Sequence, residues 1–311
     1  MRILITGGAG FIGSTICEKL LEQDHQVTII DNYETGKAAN NKSHKNLTII
    51  KGSITDKKIL KNGFMISKPE IVVHAAASYK NPGDWQKDID TNIIGSINCI
   101  NLSKSFEVKK FIYLQTSLSY GLNPLMKPIK SSHPLLSGGT SYAISKTAAE
   151  HYLEMSEINY VSFRLANVYG PKNLSGPLPT FYRKLKLGLP NVIVNTKRDF
   201  IFINDVVNVI VKSINGQGTK NQYNIATGKD IPIKKLFSLT KKFMTSPITS
   251  EVKEIKMGSD DVKTILLDPK ETIKDFNWKI ETNFFRGVKE TISWYETRKI
   301  KKTSTHLKNI N

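Results

Sequence analysis

Cysteine is nearly absent: the 311-residue sequence holds only Cys17 and Cys99, too few for a disulfide framework and suited to a reducing compartment. Both fall in helix-like stretches, where a small buried hydrophobe is the ordinary role. Long apolar runs are missing as well. None approaches the roughly 18 residues of a membrane span, and the first strand-like run starts at Arg2, so neither membrane attachment nor a cleavable leader is expected. Together these absences point to a cytoplasmic protein. Acidic residues are the third scarcity, with 27 Asp and Glu against 45 Lys and Arg, a formal charge of +18. Such a surplus raises the question of a nucleic-acid partner. The lysines are spread through nearly every segment, however, and the one dense basic run, TRKIKK at residues 297–302, reads as a solvated tail. No nucleic acid is expected, whereas a small anionic substrate would gain from the field.

What remains is an ordinary globular composition, 39% hydrophobic and 23% charged, long enough for one large α/β unit or two unequal lobes. Short apolar runs, RILIT, QVTIID, LTIIK, EIVVHAA, KKFIYLQ and YVSFRLA, alternate with helix-length amphipathic segments. That rhythm predicts βαβ units, and the consecutive apolar positions suit a parallel sheet covered on both faces. The fold class is α/β, a Rossmann-type doubly wound sheet. After Gly170-Pro171 the rhythm breaks: NLSGPLP reads as loop and TFYRKLKLG as a helix ended by Gly188. The expected division is a dinucleotide-binding domain over 1–170, rejoined by about 199–226, and a smaller substrate-binding lobe with a basic tail within 171–311.

ITGGAGFIG sets Gly8, Gly10 and Gly13 in a G-x-G-x-x-G spacing between a strand and a helix. Glycine permits the tight turn and close backbone approach, and the free N–H groups at the helix start favour a pyrophosphate. Asp31 ends the second strand, where its carboxylate can accept both ribose hydroxyls and would repel a 2′-phosphate. NAD is therefore expected rather than NADP.

TSYAISKTAAEHYLE reads as a helix carrying Tyr142 and Lys146 at i and i+4, on one face. A neighbouring ammonium favours the phenolate and would make a tyrosine a useful base. On its own the pair is equally well an exposed amphipathic face. In company with TGGAGFIGS, DNYETG, HAAASYK, TNIIGS, QTSLSYG, SYAISK, FRLANVYGP, RDFIFINDV and YNIATG, in that order, the chain resembles the extended short-chain dehydrogenase/reductase family, specifically its nucleotide-sugar epimerases and dehydratases.

The resemblance implies that Tyr142 is the catalytic base, that Lys146 orients the cofactor and assists it, and that Thr116 holds the third position, where Ser117 could stand in. It places Lys80 near the cofactor, lets Asn92 organise the active-site helix, and gives Asn167, Arg198 and Ser117 to the substrate. The remaining expected cofactor contacts are Gly7, Phe11, Ile12, Asn32, Ser53, Ile54, Ala75, Ala76 and Ala77. Two departures stand out. Ser53 occupies the place of an Asp that helps hold adenine in relatives, and an Arg-Pro-Gly-Asp motif of many UDP-sugar 4-epimerases is replaced by MGSDDV at 257–262, leaving Lys256 as a substitute for the Arg.

Related 4,6-dehydratases follow the Thr116 position with Asp-Glu, and decarboxylating relatives carry a Glu there; this chain has Ser117 and Leu118. Oxidising a sugar carbon needs a base, an oxyanion donor and a hydride acceptor, whereas eliminating water needs further acid–base groups. The expected activity is NAD-dependent 4-epimerisation of a nucleotide-diphosphate sugar through a 4-keto intermediate, as in O-antigen and lipopolysaccharide pathways, by a homodimer. A dehydrogenase, reductase or dehydratase of the same family is the alternative enzyme, and a dinucleotide- or nucleic-acid-binding module the alternative without catalysis.

Overall fold

A computed structural model describes residues 1–79, 81–256 and 263–304. Among the described residues are twelve strands: β1 Arg2–Thr6, β2 Gln26–Asp31, β3 Leu47–Lys51, β4 Ile71–His74, β5 Lys110–Thr116, β6 Tyr160–Leu165, β7 Asn167–Tyr169, β8 Asn191–Val194, β9 Lys197–Phe202, β10 Gln222–Ile225, β11 Asp230–Pro232 and β12 Val252–Ile255. Seven form one sheet in the order β10-β6-β5-β4-β1-β2-β3, every neighbouring pair parallel. This is the doubly wound order, with its reversal between β1 and β4, where ligands of such sheets bind. The interior strands are apolar at consecutive positions because helices cover both faces. β3 departs from that pattern: it is the edge strand, and its Ile49 is exposed.

The helices are α1 Phe11–Leu21, α2 Lys57–Ser67, α3 Trp85–Asp88, α4 Gly95–Ser105, α5 Ser141–Met155, α6 Pro177–Leu187, α7 Ile203–Ile214, α8 Ile233–Phe243, α9 Lys270–Asp275 and α10 Phe284–Glu296, with a π-helical turn, Ile89–Ile94, between α3 and α4. Cys17 and Cys99 are buried free thiols in α1 and α4. α6 begins at Pro177, inside the stretch that reads as loop, because proline suits the first helical turn, and it ends at Gly188 in the left-handed conformation. Beyond β7 the chain builds two small sheets, β11-β9-β7 and β12-β8, while α6, α8 and α10 pack on one another. A short bridge joins Ser175 to Ser304, so the segment after α10 returns to the loop that precedes α6.

The central layer carries a buried ion pair. Arg164 of β6 meets Glu150 of α5 at 3.0 Å, with side chains 5% and 0% exposed. Gln115 donates to the other carboxylate oxygen at 2.7 Å, and Arg164 also donates to the Tyr120 hydroxyl and the Ser131 carbonyl. Removing one partner would strand a charge without water. Glu150→Ala is expected to lower unfolding free energy by about 3–5 kcal/mol, read as a lower urea midpoint; a loss below about 1 kcal/mol would show that the pair behaves like one at the surface.

Candidate active site

The cavity lies at the carboxyl ends of the sheet strands and measures about 600 Å³. β1 delivers the chain into it through Gly7, whose φ of +70 favours glycine and whose hypothetical Cβ would sit 2.7 Å from the backbone nitrogen of Ala76. A Cβ on Gly13 would fall 2.2 Å from the Gly7 carbonyl oxygen. No side chain caps α1 at Gly10, so the N–H groups of its first turn stay available to an anionic ligand. Gly7, Gly10, Phe11, Ile12 and Gly13 line the cavity, but Gly8 does not: it packs against β2, where a Cβ would overlap the Ile29 side chain. Asp31 lines the cavity with its two oxygens accepting from the Ala9 and Tyr33 N–H groups at 2.9 and 2.8 Å. Each oxygen keeps a further lone pair for a ribose hydroxyl. An uncapped helix start, a backbone with no room for a Cβ at Gly7 or Gly13 and a carboxylate at the end of β2 suit a dinucleotide.

Asn32, Ser53, Ile54, Ala75, Ala76 and Ala77 continue the same wall. The Ser53 hydroxyl is engaged with Thr55. Lys80 and residues 257–262 lie outside the described residues. Lys256 is exposed and does not line the cavity, so the substitute for the missing arginine is not brought to the site. Asn167 and Arg198 do line it, Asn167 donating to the Asp199 carbonyl at 3.3 Å.

The opposite wall is the hydroxyl run and α5. Thr116 and Ser117 face the cavity, and the Thr116 hydroxyl accepts from the Leu118 N–H at 3.2 Å, which leaves its proton free to be donated. Ser119 and Tyr120 turn into the interior, Tyr120 donating to Asn224 at 2.7 Å. Thr140 caps α5 by accepting from the Ala143 N–H, which puts Tyr142 in the first helical turn and on the cavity wall. Lys146, one turn on, is 1% exposed and does not line the cavity; its Nζ lies 3.8 Å from the centroid of the Tyr113 ring.

Asn92 is buried behind this wall, its amide donating to the Ser78 carbonyl and to Ser145 Oγ at 3.0 Å each, and its oxygen accepting from the Ser78 N–H. The turn carrying it is π-helical. His74, fully buried between Thr6 and Ser96, is pushed down to about 3 by burial and stays neutral.

Electrostatics differ from the simple expectation that Lys146 lowers Tyr142. Burial raises the Tyr142 phenol well above its usual value, helped by Tyr79 and Asp88. Burial also depresses Lys146 to about 7, against the opposing pull of Glu150. Desolvation exceeds pairing for both groups because neither cation nor anion is welcome in so dry a place.

Residues 3–226 match the NAD dependent epimerase/dehydratase family. The chain belongs to that family. A putative UDP-glucose 4-epimerase of Methanocaldococcus jannaschii is 30% identical over 94% of this chain and 97% of its own length. Among solved structures, the Bordetella bronchiseptica enzyme WbmH in complex with NAD+ matches with a TM-score of 0.91 and 41% identity, covering 95% of this chain and 98% of that one. WbmG of the same organism, in complex with NAD and UDP, matches with a TM-score of 0.89 and 39% identity over 99% of each chain.

The chain is an α/β enzyme of this epimerase/dehydratase family and its cofactor is NAD. Among the described residues no helix is long and apolar enough to cross a membrane. Lys172 and Tyr79 are among the lining residues that the sequence did not single out. Lys172 pairs with Glu18 at 2.7 Å beside Ser14 of α1, and Tyr79 stands next to Tyr142. Lys172 follows the quoted FRLANVYGP directly; Tyr79 lies inside HAAASYK, one residue before the lysine that drew attention.

The depressed Lys146 makes stability depend on pH. Between about 7 and its ordinary 10.5 the unfolded chain holds a proton that the folded chain lacks, so the penalty is full below about 7 and stability rises with pH across that window. In urea titrations the unliganded protein should gain stability relative to Lys146→Met from about pH 7 to about pH 9. An unchanged difference would mean that Lys146 titrates like a solvated lysine.

Proposed function

We propose that the protein epimerises a UDP-linked sugar at C4, with Tyr142, Thr116 and Lys146 as its chemical residues. The observation that carries the reading is that the glycine cradle, Asp31, Thr116 and Tyr142 converge on one cavity in which Thr116 is followed by Ser117 and Leu118, not by acids. Residues 1–170 with about 199–226 hold the cofactor through Gly7, Gly10 and Gly13 at the pyrophosphate and Asp31 at the ribose. The rest supplies most of the substrate side, and Arg198 and Asn167 face the diphosphate, for which a guanidinium fork is suited.

NAD, when bound, supplies a hydride acceptor that becomes a donor, together with a positive charge near the reacting sugar. Tyr142 takes the proton of the C4 hydroxyl as the C4 hydrogen leaves, and returns it after the keto sugar has turned over. Thr116 donates to the developing oxyanion. Lys146, partly protonated near neutrality, favours the phenolate against the burial that opposes it. UDP is the preferred nucleotide, in keeping with the UDP held by the related WbmG. The site has no acid pair beside Thr116 to expel water, so a dehydrated product is not expected.

A homodimer in the cytoplasm fits the surface. Ile89 and Ile94 beside α4 and Ile144, Tyr152 and Met155 on α5 are exposed apolar side chains on neighbouring helices, an area that a second copy would cover. Cell-surface polysaccharide synthesis is the pathway class in keeping with the O-antigen resemblance.

Two measurements test the reading. Incubated with UDP-sugars and followed by NMR, the wild type should interconvert C4 epimers, and Tyr142→Phe should lose at least about 10²–10⁴-fold in kcat while binding NAD and UDP-sugar as before. A variant within about threefold of wild type would remove Tyr142 from the chemistry. Calorimetry should show NAD bound in preference to NADP, and Asp31→Asn should narrow that preference by about tenfold, in line with about 1.5–3 kcal/mol for a charged hydrogen bond; an unchanged preference would take the ribose contact away from Asp31.

A further inference from the structure

Tyr79 stands beside Tyr142 in the cavity wall, and none of the chemistry above uses it. The two rings meet edge-on, their centroids 6.3 Å apart and their planes at 66°. The backbone presents Tyr79 rigidly. Its neighbour Ser78 is clamped on both sides by the Asn92 side chain, which accepts from the Ser78 N–H at 2.8 Å and donates to its carbonyl at 3.0 Å. The same amide reaches Ser145, between Tyr142 and Lys146 on α5. One buried side chain therefore sets both tyrosines.

Burial raises the Tyr79 phenol, and the nearby hydroxyl of Ser175, in the loop between β7 and α6, counters part of that rise. That loop is itself held from behind: Gly176 donates to the Ser304 carbonyl at 2.8 Å, and Ser304 donates to the Leu174 carbonyl at 3.0 Å. Tyr79 and Ser175 both line the cavity. Tyr79 thus spans the site from the catalytic helix to the loop opposite.

Epimerisation makes a particular demand on such a wall. The oxidised sugar must present its other face before hydride returns, and it must do so without leaving, although it has lost a hydroxyl donor to the site. A flat aromatic edge lets a ring slide past, and two hydroxyls facing the same cavity, those of Tyr79 and Ser175, offer the turning sugar polar partners that hold it in. We propose that Tyr79 is a positioning residue of the epimerisation: its edge keeps Tyr142 aligned, and its hydroxyl, with that of Ser175, retains the keto sugar while it turns. This rests on the activity proposed above. Where retention fails, the balance is simple. The sugar has given one proton to Tyr142 and one hydride to the cofactor, the keto sugar goes into solution, and reduced cofactor stays behind with no partner to reoxidise it.

The test compares wild type, Tyr79→Phe, Ser175→Ala and Tyr79→Leu with UDP-sugar, reading epimer formation by NMR and reduced cofactor by absorbance, beside NAD affinity by titration. Tyr79→Phe keeps the ring and loses the hydroxyl; Ser175→Ala removes the other hydroxyl. Both should bind NAD within about twofold of wild type, lose about tenfold in kcat with a smaller change in KM, and accumulate reduced cofactor over successive turnovers. Tyr79→Leu, which also releases Tyr142, should lose more. Wild-type turnover by Tyr79→Phe without accumulation of reduced cofactor overturns the role of Tyr79 and leaves the epimerase reading standing. Absence of epimerisation in the wild type with every UDP-sugar defeats that reading and this one with it.

Discussion

Two side chains of β5 converge on one carbonyl oxygen of α5 and fasten that helix to the sheet. The Lys146 carbonyl of α5 accepts from the Tyr113 hydroxyl and from the Gln115 amide, each at 3.0 Å, both from β5. A helix carbonyl normally spends itself within its own helix, so two side-chain donors converging on one of them fix α5 in rotation and in height above the strand. Gln115 also holds Glu150, and Glu150 holds Arg164 of the next strand. Thr116, which directly follows Gln115, is positioned by the same arrangement. Sheet, helix and the cavity-lining Thr116 and Tyr142 are therefore joined in one arrangement, and its precision follows from burial of the polar groups beneath it.

That burial explains the unusual state of the two ionisable groups. The polar layer under α5 is dry, which gives its hydrogen bonds strength and makes free charge costly. Lys146 answers by losing basicity and Tyr142 by holding its proton. A phenol that gives up its proton only when positive charge arrives beside it is a safeguard as well as a cost, since an empty pocket then has little reason to deprotonate whatever enters.

Much of this was legible in the sequence, because the cues were local. The strand rhythm, the glycine turn, Asp31 at the end of β2 and the i, i+4 spacing of Tyr142 and Lys146 depend on near neighbours, and the seven parallel strands and the shared cavity follow them. What escaped depends on distant segments. The hold that Asn92 keeps on Ser78, beside its expected link to α5, and the meeting of Glu150 with Arg164 on a different element are encoded by no spacing. Gly8 illustrates a finer limit: the motif counts it as a cradle residue, while Gly7 makes the left-handed turn and Gly8 answers to the packing of Ile29. The phenol's raised proton affinity was equally out of reach, since it depends on how much water is excluded and not on which residue stands four places on.

The bridge between Ser175 and Ser304 has a consequence for the order in which the molecule is made. Chains fold from the amino end as they emerge during synthesis. The cradle and Asp31 belong to the first strands, whereas the loop facing Tyr79 gains its backing only when residue 304 has appeared. During translation a nascent chain can therefore hold a formed glycine cradle beside a cavity wall at Ser175 that still lacks its backing.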